Sequence, residues 1–142
     1  MSDGQNLTRS PGRIRSRALA VAASVVAAAV VWVVGEPLLG NDLVVEQPGQ
    51  PPLDLGLAAF TTITLGASLA GWAALALLER ITRHAPRIWT ALAILVLAVS
   101  YLPFIPAEMS TGSAVVLGLV HLAVGGVLIL LLLRTTRPID ER

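Results

Sequence analysis

Apolar and polar positions along this chain separate into long blocks instead of alternating. Residues 18–34, 57–78, 88–104 and 113–133 form apolar runs of 17, 22, 17 and 21 residues, and none contains an aspartate, glutamate, lysine or arginine. At 1.5 Å rise per residue, about 20 residues cross a hydrocarbon core roughly 30 Å thick, and about 17–25 are tolerated. Inside lipid only helices and closed barrels satisfy their own backbone. Barrel strands would be about ten residues long and alternate in polarity; these runs do neither. The pattern predicts an all-α, polytopic membrane protein: an antiparallel bundle of four transmembrane helices at about 18–34, 57–78, 88–104 and 113–133.

The first run reads as a retained helix, not a cleaved signal peptide. Its apolar core exceeds the usual 7–15 residues or so, and Val34-Gly35-Glu36 is a poor cleavage site. Pro103 and Pro106 should end the third helix, because proline lacks the N–H that a continuing helix needs. The short connections on either side of that helix imply antiparallel neighbours. Residues 35–56 carry Pro37, Pro48, Pro51 and Pro52, and no regular structure is assigned to them. Their Leu38-Leu39 and Leu43-Val44-Val45 pieces could dip into a membrane interface. Residues 1–17 read as a flexible basic tail and 134–142 as a second tail, flanking a transmembrane domain at 18–133.

Composition agrees with the pattern. Of the 142 residues, 55% are hydrophobic and 13% charged, against about 25% charged in a typical soluble domain. Such a chain cannot cover a water-facing surface. The lack of cysteine excludes disulfides, thiol redox chemistry and thiolate metal sites within it.

The placement of charge adds orientation. Arg9, Arg13, Arg15 and Arg17 precede the first run, Arg80, Arg83 and Arg87 follow the second, and Arg134, Arg137 and Arg142 follow the fourth. The other two connections hold Glu36, Asp42, Glu46, Asp54 and Glu108 and no basic residue. Basic residues in short loops mark the cytoplasmic side, so both termini are expected in the cytoplasm and the protein in the cell membrane. Trp32, Tyr101 and Phe104 would then sit near the outer headgroups and Trp89 near the inner ones. Arg13, Arg15, Arg17, Arg80, Arg83, Arg87, Arg134 and Arg137 would form a belt facing anionic lipid headgroups, at about 1 kcal/mol per cation. Glu79 and Arg83, four residues apart, would extend the second helix by about 0.2–0.5 kcal/mol. Nucleic-acid binding is not expected, since no soluble domain supplies a basic surface.

His121 is the ionisable side chain well inside an apolar run, the ninth of 21 residues and so near the midplane. Such a residue is a functional candidate by default. It shares a helical stripe with Ala114, Gly118 and Gly125, while Thr61, Thr64, Ser68 and Trp72 form a stripe on the second helix. Counting residues from the membrane surface puts Thr64, Ser68 and Ser24 near the depth of His121. The expectation is a small polar layer of His121, Thr64, Ser68 and Ser24. It would act either as interhelical glue, under about 2 kcal/mol per bond, or as the wall of a binding pocket. Ala67-x-x-x-Gly71 and Ala114-x-x-x-Gly118 are small-x-x-x-small patterns that permit close approach.

Enzymatic signatures are absent. There is no nucleophile–base set, H-E-x-x-H motif, P-loop or dinucleotide fingerprint, and no cofactor or metal is expected. A membrane haem would need a second axial ligand, and the other histidine, His84, lies in a loop. A proton-coupled exporter would carry a membrane carboxylate, which no run contains. The leading expectation is a non-enzymatic accessory or interaction subunit, in contact with membrane lipids and with a membrane partner or a second copy. The alternative is a small transporter or ligand- or lipid-binding protein built around His121. A lipid-acting enzyme ranks third.

Several short elements together resemble a family of small, uncharacterised four-helix membrane proteins of actinobacteria. They are Trp72-x-x-Leu75, Leu78-Glu79-Arg80, Arg87-x-Trp89, Ser100 with Pro103, and His121-Leu122. The resemblance covers roughly residues 18–133. Arginine without lysine, alongside abundant alanine and valine, suits a GC-rich genome. The resemblance implies the four-helix fold and directs attention to His121; it implies no catalytic residue.

Overall fold

The computed structural model describes residues 11–136. All four apolar runs are helical: α1 (Pro11–Val33), α2 (Leu57–Ile81), α3 (Ala85–Val99) and α4 (Thr111–Leu133). With the turns that continue α1 and α3, each is long and apolar enough to cross a membrane. The helix ends depart from the apolar runs for physical reasons. A charged residue ends an apolar run without ending a helix, since arginine is a good helix former. Accordingly α1 already includes residues 11–17, in the segment read from sequence as a flexible tail. Arg13 and Arg17 on this extension donate Nη2 to Glu79 Oε1 at 3.2 and 2.7 Å, and donate Nε to the Thr135 carbonyl and hydroxyl at 3.2 and 3.0 Å. At the end of α2, Thr82 turns extended (φ −148°, ψ 146°). The anticipated Glu79–Arg83 pair therefore does not form, and Glu79 joins α2 to α1 instead.

Proline shapes two further ends. Pro37 cannot donate to the carbonyl four residues back, and α1 widens there into a π-helical turn, Val34–Leu38. Beyond α3, Pro103 sits in a tight 3-10 turn, Leu102–Phe104.

Residues 35–56, left without regular structure in the sequence reading, form a cap. Its short strands β1 (Val44–Val45) and β2 (Leu53–Asp54) pair antiparallel, Val44 opposite Asp54 and Val45 opposite Leu53. Leu43 and Val45 enter the protein's own core, packing with Ala28, Phe60, Val116, Leu117 and Val120, whereas Leu38 and Leu39 remain exposed. The cap is held by Ser113 Oγ donating to the Asp42 carbonyl (2.7 Å) and by paired backbone bonds between Glu46 and Glu108 (3.2 and 3.0 Å). Gly112 lies against the Asn41 side chain, which would have to move to admit a Cβ there.

A second core, at the arginine-bearing end, contains Ala20, Leu75, Trp89 and Leu132. Trp89 is buried in this core, and its indole N–H donates to the Gly71 carbonyl at 2.9 Å, as buried indoles usually find an acceptor.

Candidate functional site

Between these two cores the bundle is not filled. A groove of about 590 Å³ runs between α2, α3 and α4. Along most of its α2 side small residues, Ala67, Ala70, Gly71 and Ala74, face Leu92, Val96 and Leu97 of α3 and Val124 and Leu128 of α4, with Phe60 and Ile63 at one end. The wall is apolar except for Thr64, Ser100 and His121. Ser100 Oγ is occupied, donating to the Leu97 carbonyl at 2.6 Å. Thr64 makes no side-chain hydrogen bond to any described residue.

His121 is the most constrained of the three. Its Nδ1 lies 2.8 Å from the Leu117 carbonyl one turn earlier. A carbonyl only accepts, so Nδ1 carries the hydrogen, and the neutral imidazole keeps its lone pair on Nε2. That nitrogen has no hydrogen-bond partner among the described residues. The rings of Tyr101 and Phe104 pack against the imidazole at centroid distances of 5.4 and 5.2 Å, and edge to face against each other at 5.9 Å. Tyr101 is anchored in turn by its hydroxyl, which donates to the Gly118 carbonyl at 2.8 Å. The arrangement presents one fixed hydrogen-bond acceptor on an apolar wall. It can receive a hydroxyl, an amide N–H or a protonated acid.

The sequence pattern puts Tyr101 and Phe104 near the outer headgroups and does not pair them with His121. The available signal was Pro103 between them: a chain halted there turns back, and rings on either side of the turn can reach α4. Of the four residues of the expected polar layer, the structure brings His121 and Thr64 to the same groove. Ser24 and Ser68 are fully buried and do not line it. Ser24 Oγ donates to the Ala20 carbonyl at 3.0 Å, while Ser68 Oγ has no partner. No hydrogen bond joins any two of the four among the described residues.

A family model described as a family of unknown function (DUF6069) matches residues 8–138. The chain belongs to that family. No curated protein and no solved structure matches it. In this DUF6069 chain, Arg15, Arg80, Arg83, Arg87 and Arg134 are exposed, Arg13 is half-buried and Arg17 is buried. Arg137, with Arg9 and Arg142, lies outside the described residues. The two small-x-x-x-small patterns admit aromatic side chains: Gly71 receives the Trp89 indole and Gly118 the Tyr101 hydroxyl. Among the described residues no cluster of histidine and carboxylate side chains could hold a metal ion.

Proposed function

We propose that this DUF6069 protein is a non-enzymatic integral membrane protein that holds an apolar, hydrogen-bond-donating small molecule, such as a membrane-soluble alcohol or fatty acid, in the α2–α3–α4 groove. One observation carries the reading: His121 Nε2 is an oriented acceptor without a donor among the described residues, on the wall of a groove that, apart from Thr64 and Ser100, is apolar. Apolar pockets with a few well-placed polar groups are the usual form of small-molecule sites. Thr64 supplies a second polar contact on the same wall. Solvent extraction and mass spectrometry of the detergent-purified protein should yield such a molecule at near-stoichiometric amount. Ala67→Leu, which fills the groove, should abolish it; a ligand retained equally by that variant would refute the assignment.

The second reading is an accessory subunit, in which a partner helix or a second copy occupies the groove. The small α2 wall favours it, because such residues allow close helix approach. A stoichiometric membrane partner in a mild-detergent pulldown, lost with Ala67→Leu, would distinguish it.

Both readings use an antiparallel bundle in the cell membrane with the arginine-bearing end in the cytoplasm. The arginine and carboxylate distribution supports that orientation. A reporter active only outside the cytoplasm, fused after Arg142, should stay silent. The GC-rich actinobacterial source suggested by composition belongs to the same proposal.

A further inference from the structure

The second large cavity lies at the arginine-bearing end, between α1 and α2, with a volume of about 640 Å³. It is amphipathic. Arg13, Arg17, Glu79 and Arg80 form one part of its lining, and Trp72 and Ala73 belong to the apolar part. Three guanidinium groups face one carboxylate, so the cavity carries an excess of two positive charges. The pairing already present fixes two of the cations. Arg17 spends Nε on Thr135 Oγ1 and Nη2 on Glu79 Oε1, at 3.0 and 2.7 Å, while Arg13 spends the same two nitrogens on the Thr135 carbonyl and the same carboxylate oxygen. Glu79 Oε1 is thus shared, and Nη1 of Arg17 engages no described residue.

Arg17 is only 5% exposed. A buried cation is costly unless its charge and its donors are met, and half of a shared carboxylate meets them incompletely. A guanidinium with a spare N–H is well suited to a phosphate oxygen. The apolar lining decides which phosphate. Trp72 and Ala73 belong to the apolar run of α2, whereas Arg13, Arg17 and Arg80 lie just beyond the ends of the runs. The cavity therefore spans the level at which a phospholipid passes from headgroup to chain.

We infer that this cavity is a binding site for one anionic phospholipid, its phosphate held by Arg17 and Arg80 and its acyl chain laid over Trp72 and Ala73. The site is separate from the His121 groove and does not depend on what fills that groove.

The test is native mass spectrometry of the full, delipidated chain titrated with phosphatidylglycerol and, separately, with phosphatidylcholine. One phosphatidylglycerol should be retained in preference to phosphatidylcholine. Arg80→Gln, at an exposed position, should weaken that first binding event roughly fivefold, the equivalent of about 1 kcal/mol per cation near an anionic lipid. Ala73→Leu keeps every charge and obstructs the apolar part, and should weaken binding as well. Arg87→Gln removes an exposed arginine that does not line the cavity and should leave the first event unchanged. Equal loss in Arg87→Gln and Arg80→Gln would mean diffuse attraction by the whole belt and would overturn the site. Undiminished binding in Ala73→Leu would overturn the acyl-chain placement. Displacement of the lipid by inorganic phosphate at comparable concentration would make this a soluble-anion site, overturning the lipid assignment.

Discussion

Two stripes of small residues on neighbouring helices meet opposite fates. On α1, Ala20, Ser24 and Ala28 stand four residues apart and are sealed, at 1%, 0% and 0% exposure. Ala20 packs in one core with Leu132 and Ala28 in the other with Val116, so this stripe lies against α4. On α2, Ala67, Ala70 and Ala74 are just as small, yet they are exposed and line the groove. A small side chain permits close approach; it does not bring the neighbour in. Trp89 ties α3 to α2 at Gly71, and Tyr101 and Phe104, just beyond α3, pack on His121 of α4; between these contacts the groove is open. The sealed seam holds the bundle together, and the open face keeps room for something else.

The comparison breaks most sharply under a matched pair of substitutions. Ala28→Leu adds volume to a filled seam and should destabilise by about 1–3 kcal/mol, the usual cost of overpacking. Ala67→Leu adds the same volume to the groove and should shift stability by less than about 0.5 kcal/mol, as surface substitutions usually do. Thermal unfolding in one detergent measures both. Equal destabilisation would mean that the groove closes in solution and that the contrast between the stripes is false.

Much of this was legible in the sequence. The four helices follow from run length alone, and the arginines foretold a distinct end. The boundaries were less legible because hydropathy stops at the first charge, whereas α1 continues through Arg13 and Arg17 to reach Glu79. That contact joins residues 62 and 66 positions apart, and no local spacing encodes it; the visible local pair, Glu79 with Arg83, was the wrong one. The cap was opaque for a related reason. Its prolines indicate a break in regular structure, but the burial of Leu43 and Val45 depends on Phe60 and Val116 from other elements. At the candidate site, His121 and Thr64 were found by counting depth. Ser24 and Ser68 have similar depth but are buried away from the groove, a distinction of azimuth that depth cannot give.

A smaller effect is expected at the aromatic corner. Tyr101→Phe keeps the ring against His121 and removes only the hydroxyl that donates to the Gly118 carbonyl. Hydrogen bonds between membrane helices average about 0.6 kcal/mol and reach about 1.7, so a loss of about 1 kcal/mol is expected in thermal unfolding. Ligand retention should fall with it only in part, since His121 keeps its own bond to Leu117. No change in either quantity would show that the ring contacts alone set the position of the corner.

The smallest effect on stability, and the most specific effect on function, belongs to His121 itself. Its Nδ1 bond stays within one helical turn, and the Leu117 carbonyl lies in the helix interior, where the backbone N–H four residues on already supplies a donor. His121→Leu therefore removes no contact between helices except packing against Tyr101 and Phe104, which leucine largely replaces. Stability should change by less than about 0.5 kcal/mol, well below the cost of a lost core side chain. Retention of the groove's ligand should be lost, because leucine offers no acceptor. His121→Gln, whose amide oxygen can accept, should recover part of it. A bridging role predicts the reverse: a destabilised His121→Leu whose ligand binding declines only as its folded fraction does. Measuring unfolding and ligand retention on the same three proteins separates a histidine kept for the bundle from one kept for the groove.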